Sequence, residues 1–149
     1  NASASVLLPA ILFLVAIFLS FSTGTSWGTF AILVPIAIAM FPGADNMQMM
    51  IIAVASVLSG AVCGDHVSPI SDTTVMSSAG AQSNHINHVT TQMQYAVVVA
   101  VVSAIGYVIA GFVHIWWLVL GISAVLLLVV LFVIKVVTSD EKDGVKKRA

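Results

Sequence analysis

Long apolar stretches make up most of this chain, and two short clusters of hydroxyls, glycines and acids interrupt them. Val6 to Phe21 is almost wholly apolar, yet short of the ~20 residues a full membrane crossing needs. It gives way to Ser22-Thr23-Gly24-Thr25-Ser26-Trp27-Gly28-Thr29 and then to a second short run, Phe30 to Phe41. Pro42 to Asn46 has the composition of a turn. Met47 to Cys63 is the next apolar segment, ending at Gly64-Asp65-His66-Val67-Ser68-Pro69-Ile70-Ser71. Asp72 to Ala81 then reads as a short helix. Gln82 to Gln94 is polar and predicts a solvent-facing loop. Tyr95 to Val113 and Trp116 to Val137 are two ordinary spans, and Ser139 onward is a charged tail expected to be disordered.

Composition turns this pattern into a class. Of 149 residues, 60% are hydrophobic and 7% charged, where soluble domains carry roughly 25% charged residues; the chain reads as an all-α, polytopic membrane protein. All five basic residues (Lys135, Lys142, Lys146, Lys147, Arg148) lie at or beyond the end of the last apolar run, and before them stand only Asp45, Asp65 and Asp72. With no basic groove, nucleic acid is not an expected partner. The single Cys63 makes no internal disulfide and reads as a packing thiol. The chain starts Asn1-Ala2-Ser3 without a charged segment before Val6, so no signal peptide is recognisable, and a piece of a longer polypeptide is expected.

Basic residues just behind a span mark its cytoplasmic side. Lys135 and the cluster Lys142 to Arg148 therefore put the C-terminus inside, in what reads as a multi-pass protein of the plasma membrane. Threading backwards places His114 to Trp117 outside, with Trp116 and Trp117 in an interfacial belt, and Gln82 to Gln94 inside. If 47–81 is a single interrupted crossing, Pro42 to Asn46 lies outside.

The two polar clusters carry the candidate chemistry. In hydrocarbon every backbone polar group needs an internal partner, so irregular backbone persists only against protein or a watery cavity. Gly24 and Gly28 among hydroxyls, and Gly64, Ser68 and Pro69, make poor continuous helix, since proline removes a donor and clashes with the preceding turn. Each cluster reads as a break between half-helices, whose ends expose N–H groups and carbonyls suited to ions. Gly/Pro-interrupted apolar segments are a pointer to a transporter's central site. Asp72, after Ser71 and before Thr73 and Thr74, either caps the helix it begins or faces the cavity.

A charged aspartate at bilayer depth costs roughly 2.5–3.5 kcal/mol on insertion scales and commonly marks an ion path. A carboxylate takes Na+ when ionised or a proton when neutral, so one site suffices for exchange. Hydroxyls of Ser68, Ser71, Thr73, Thr74, Thr23, Thr25 and Ser26, with freed carbonyls, would complete an oxygen shell around Na+ held by Asp65 and Asp72. The plainer alternative makes both acids mere stabilisers of the break, and the first hydroxyl cluster a helix-packing surface. His66 is a candidate proton relay or a packing residue. His85 and His88 form a weak metal pair or a pH sensor, or, as the simpler reading, are exposed and inert. Asp45 reads as solvated, and Met47, Met49 and Met50 as lipid-facing or packing residues. No arrangement of catalytic residues or phosphate loop stands out, so an enzyme is not expected.

The run "GDHVSPISDTT", with "STGTSWGTF" upstream and "HVTTQMQYA" downstream, resembles the C-terminal part of an NhaC-type Na+/H+ antiporter of the ion-transporter superfamily. The first motif is long and specific. The downstream match is looser, with Gln94 where the family commonly carries proline, and the likeness covers about residues 20 to 96. The resemblance implies one of two inverted repeats, with a re-entrant hairpin over 4–41 tipped by Ser22 to Thr29. It also implies an interrupted helix over 47–81 unwound from Gly64 to Ser71, followed by spans at 95–113 and 116–137. Together they form a membrane domain, 1–138, with a tail at 139–149. It further implies exchange of Na+ for H+ by alternating access, with no cofactor beyond the transported ions. The partners are then the bilayer, an N-terminal repeat absent from this chain and, in one version, a second copy as a homodimer. Some relatives exchange organic anions such as malate and lactate, so a Na+-coupled anion or amino-acid carrier stays open, as does a non-transporting scaffold. The lack of intramembrane lysine or arginine favours a bare cation.

Overall fold

The structure, a computed structural model, describes residues 2–113 and 115–146. His114, Lys147 and Arg148 lie outside these residues. Six α-helices follow one another: α1 (Ala2–Thr23), α2 (Ser26–Met40), α3 (Met47–Val67), α4 (Asp72–Gly80), α5 (His85–Phe112) and α6 (Trp116–Lys146). A 3-10 turn, Ala44–Asn46, leads into α3, and no strand occurs among the described residues. Four stretches are long and apolar enough to cross a membrane: Val6–Thr23, Met47–Val67, His85–Phe112 and Trp117–Thr138. The chain is a multi-pass membrane protein.

Packing is built on the parallel pair α1 and α3. Phe13 and Ile17 of α1 lie against Gly60 and Gly64 of α3, where an added Cβ would strike the backbone oxygen of either neighbour. The two glycines sit about one turn apart and form the small-xxx-small surface that lets membrane helices approach closely. Farther along, the Ser20 hydroxyl donates to the Ala61 carbonyl at 2.6 Å and that of Ser68 to the Phe21 carbonyl at 2.7 Å. Leu33, Ala37 and Phe41, brought up by α2 and the turn after it, close over Leu12, Ala16, Ala53, Val57 and Ala61 to complete the core.

On the other side α5 runs antiparallel to α1 and α3. Tyr107 stacks on Phe13 with ring centroids 5.2 Å apart, and its hydroxyl lies 2.7 Å from that of Ser59. Gly111 meets the backbone of Val6. Among the described residues, helix α6 packs on α5 alone, with Ser123 against Gly106, and otherwise presents exposed Leu, Val, Ile and Phe side chains.

Several expectations need correction. Gln82 to Gln94 is not a loop: α5 begins at His85, because Asn84 caps it by accepting from the Asn87 N–H at 3.1 Å. The polar residues that suggested a loop form its first turns. The charged segment after Ser139 continues α6 to Lys146 instead of being disordered, since Glu and Lys are good helix formers. The first arm of the hairpin is 22 residues long and the second 15, so only α2 has the shortness expected of both. Both breaks are also narrower than predicted. The first is confined to Gly24 and Thr25, and the second to Ser68–Ser71. Gly64 and Asp65 remain helical, since the missing Cβ of Gly64 serves the close approach of α1 rather than an unwound backbone.

Candidate functional site

The two breaks meet. Gly24 ends α1 at φ +69°, a conformation that glycine adopts without strain, and an added Cβ there would lie 2.8 Å from the Ile70 side chain and 2.9 Å from its carbonyl. The hairpin tip therefore rests on the unwound segment between α3 and α4. Thr25 caps α2, its hydroxyl accepting from the Gly28 N–H at 3.5 Å, and so aims the first turn of α2 at α3.

Asp65, in the last turn of α3, joins the two. Its Oδ2 accepts from the Ser26 hydroxyl at 3.0 Å, and its Oδ1 from the Ser71 hydroxyl at 2.6 Å. Ser71 lies 2.8 Å from the Thr73 hydroxyl. Because Ser71 gives its one hydrogen to Asp65, Thr73 is the donor to Ser71. Five side-chain oxygens from three helices and the second break thus converge, with Ser26 and Ser71 buried and Asp65 half-buried. Around them lie further buried hydroxyls: Ser68 donates to Phe21 as above, Thr29 donates to the Thr25 carbonyl at 3.0 Å, and Thr74 donates to the His66 carbonyl at 3.1 Å. The bonds of Ser68 and Thr74 go to carbonyls in the last turns of α1 and α3, where a helix leaves its final carbonyls without intrahelical partners.

The remaining candidates are placed differently. Asp72 is the first residue of α4, Ser71 being the N-cap, and its exposed side chain makes no hydrogen bond among the described residues. It stands outside the Asp65 cluster. Thr23 is exposed and donates back into its own helix, to the Leu19 carbonyl at 2.9 Å. His66 is exposed and lines the groove between α3 and α5 with Cys63, Gln92 and Tyr95, rather than bonding to Asp65. His85 and His88, whose simpler reading had them exposed, are not. Both are half-buried; His88 bonds Ser77 at 3.1 Å, while His85 bonds both Ser78 and the Pro69 carbonyl. Among the described residues, no three His, Cys, Asp or Glu side chains gather into a metal-binding group. Oxygen from hydroxyls and one carboxylate is the donor set on offer, which suits a hard cation.

Sequence reading missed the Gly60/Gly64 contact, although the spacing Gly60-Ala61-Val62-Cys63-Gly64 is visible along the chain. It also missed the role of α5's polar start, for which the signal was Asn84 three residues before Asn87.

Residues 1–112 match the Na+/H+ antiporter family. The chain belongs to that family. It is 49% identical over 128 residues to a protein of uncharacterised function from Haemophilus influenzae, covering 86% of this chain and 24% of that protein. It is 34% identical over 97 residues to the malate-2H(+)/Na(+)-lactate antiporter of Bacillus subtilis, covering 64% of this chain and 20% of the relative. An uncharacterised Na(+)/H(+) antiporter of Haemophilus influenzae is 33% identical over 108 residues, covering 69% and 22%. This chain thus spans about a quarter or less of the length of the relatives it matches. No solved structure matches it. The family points to a transporter and not to an enzyme.

Proposed function

We propose that this chain is the ion-binding C-terminal part of a secondary transporter that exchanges Na+ for H+ by alternating access. The observation that carries the reading is the Asp65 carboxylate, gripped by Ser26 just after the first break and Ser71 at the end of the second. Ionised, Asp65 offers Na+ two oxygens, and the hydroxyls of Ser26, Ser71 and Thr73 supply more once they turn their hydrogens away. Protonated, the carboxyl is neutral and has little attraction for the cation. Na+ needs the ionised carboxylate and a proton removes that charge, so the two ions compete for one seat. Asp72, exposed beside this seat, is the second acid and meets the rest of the protein. That remainder contains the N-terminal repeat, and the complete protein lies in the plasma membrane with this C-terminus in the cytoplasm.

The test uses the complete protein in liposomes, with a pH-sensitive dye inside and a Na+ gradient imposed. Asp65→Asn is expected to abolish Na+-driven proton movement while the protein still folds; undiminished exchange would end the proposal. The malate/lactate exchange named for the Bacillus relative supports a second reading, in which an organic anion is the cargo and Na+ the coupling ion. Uptake of labelled malate or lactate, with and without the Na+ gradient, separates the two. A protein that moves neither ion nor anion would be a scaffold.

A further inference from the structure

His85 is the first residue of α5. Its Nε2 lies 2.7 Å from the Pro69 carbonyl and its Nδ1 2.9 Å from the Ser78 hydroxyl. A carbonyl only accepts, so Nε2 carries a hydrogen and donates it. Ser78 also lies 2.9 Å from the Val75 carbonyl. Its hydrogen therefore goes to Nδ1 when the ring is neutral, or to Val75 when Nδ1 is itself a donor. The bridge closes either way. The Pro69 carbonyl belongs to the break, outside the ladders of α3 and α4, and one ring thus ties the break and the far end of α4 to a long continuous helix.

We infer that His85 is a positioning residue for the ion seat: by latching Pro69 and Ser78 to α5 it holds Ser71, two residues beyond Pro69, on the Asp65 carboxylate. The Pro69 carbonyl, one of the acceptors freed by the break, is taken by His85 and withheld from the cation's shell. Ser71, in the same break, donates to Asp65. His88, bonded to Ser77 at 3.1 Å, reinforces the same seam one turn on. This role rests on the proposed exchange at Asp65, since without an ion there is nothing for the latch to position.

The test measures Na+-driven proton movement by the complete protein in liposomes as a function of Na+ concentration. Substituting phenylalanine for His85 keeps an aromatic ring but removes both bonds. One lost hydrogen bond of about 1 kcal/mol corresponds to about a fivefold change. His85→Phe is accordingly expected to raise the half-saturating Na+ concentration about fivefold or more, with the saturating rate changed by less than about twofold. His85→Gln, whose amide both donates and accepts, is expected to restore most of the loss. An unchanged half-saturation in His85→Phe overturns the inference, as does a loss confined to the saturating rate or an absence of rescue by glutamine. If His85→Phe does not fold, Ser78→Ala removes one arm of the bridge. A raised half-saturation in that variant supports the latch, and an unchanged one overturns it. Wild-type protein indifferent to Na+ would instead remove the exchange reading, and this role with it.

Discussion

Two neighbouring hydroxyls differ sharply in what they touch. Ser26 and Thr23 are three positions apart in one polar cluster, but Ser26 is buried and donates to the Asp65 carboxylate, while Thr23 is exposed and bonds only its own helix. A hydrogen bond to a charged group is worth about 1.5–3 kcal/mol, or about tenfold or more in an equilibrium constant. Ser26→Ala in the complete protein removes an oxygen that turns to Na+ in the proposed seat, a charge–dipole contact of the same order, and is expected to raise the half-saturating Na+ concentration in the liposome assay by about tenfold. Thr23→Ala is expected to fall within ordinary surface effects of about 0.5 kcal/mol. Equal responses from the two would show that the cluster acts as bulk polarity and not through Asp65.

At the scale of elements, the geometry of the site depends on how closely α1 lies along α3. Gly64 is one residue before Asp65, and the Ile17 backbone occupies the space its Cβ would take. Gly64→Ala must push the helices apart, at a cost typical of overpacking, about 1–3 kcal/mol. It is expected to lower the melting temperature of the detergent-solubilised protein and to separate Asp65 from the hairpin tip. Gly24→Ala combines a left-handed φ with a clash on Ile70 and is expected to do similar damage by prising the tip off the second break. By contrast, Gly121 has open space around it, so Gly121→Ala should leave the melting temperature unchanged or raise it slightly, as alanine favours helix over glycine by about 1 kcal/mol.

For the whole molecule, the exposed faces matter as much as the packed ones. Asp72, Trp27 and most of α6 are exposed, and the chain covers only a fraction of the relatives it matches. The proposed seat at Asp65 would line one side of a transport path, and such a path needs a second wall and a second gate. The chain reconstituted alone is accordingly expected to insert into liposomes without moving protons in response to Na+. The complete protein is expected to move them. Exchange by the isolated chain at a comparable rate would show that α1 to α6 form a sufficient path.

Long apolar runs between polar breaks were enough to establish an all-helical membrane protein, the places of the breaks and the acids beside them, because the bilayer forces backbone pairing and makes each intramembrane charge stand out. The motif "GDHVSPISDTT" was enough to indicate the family, which the family match bears out. Which of the polar residues work together was decided in three dimensions. Ser26 and Asp65 are far apart in the chain and meet only because Gly60 and Gly64 admit α1; His85 reaches Pro69 only because Asn84 starts α5 early enough to lay its first turn across the break. Linear spacing records neither contact, since the first depends on glycines that let α1 lie close along α3 and the second on where the chain turns back into α5.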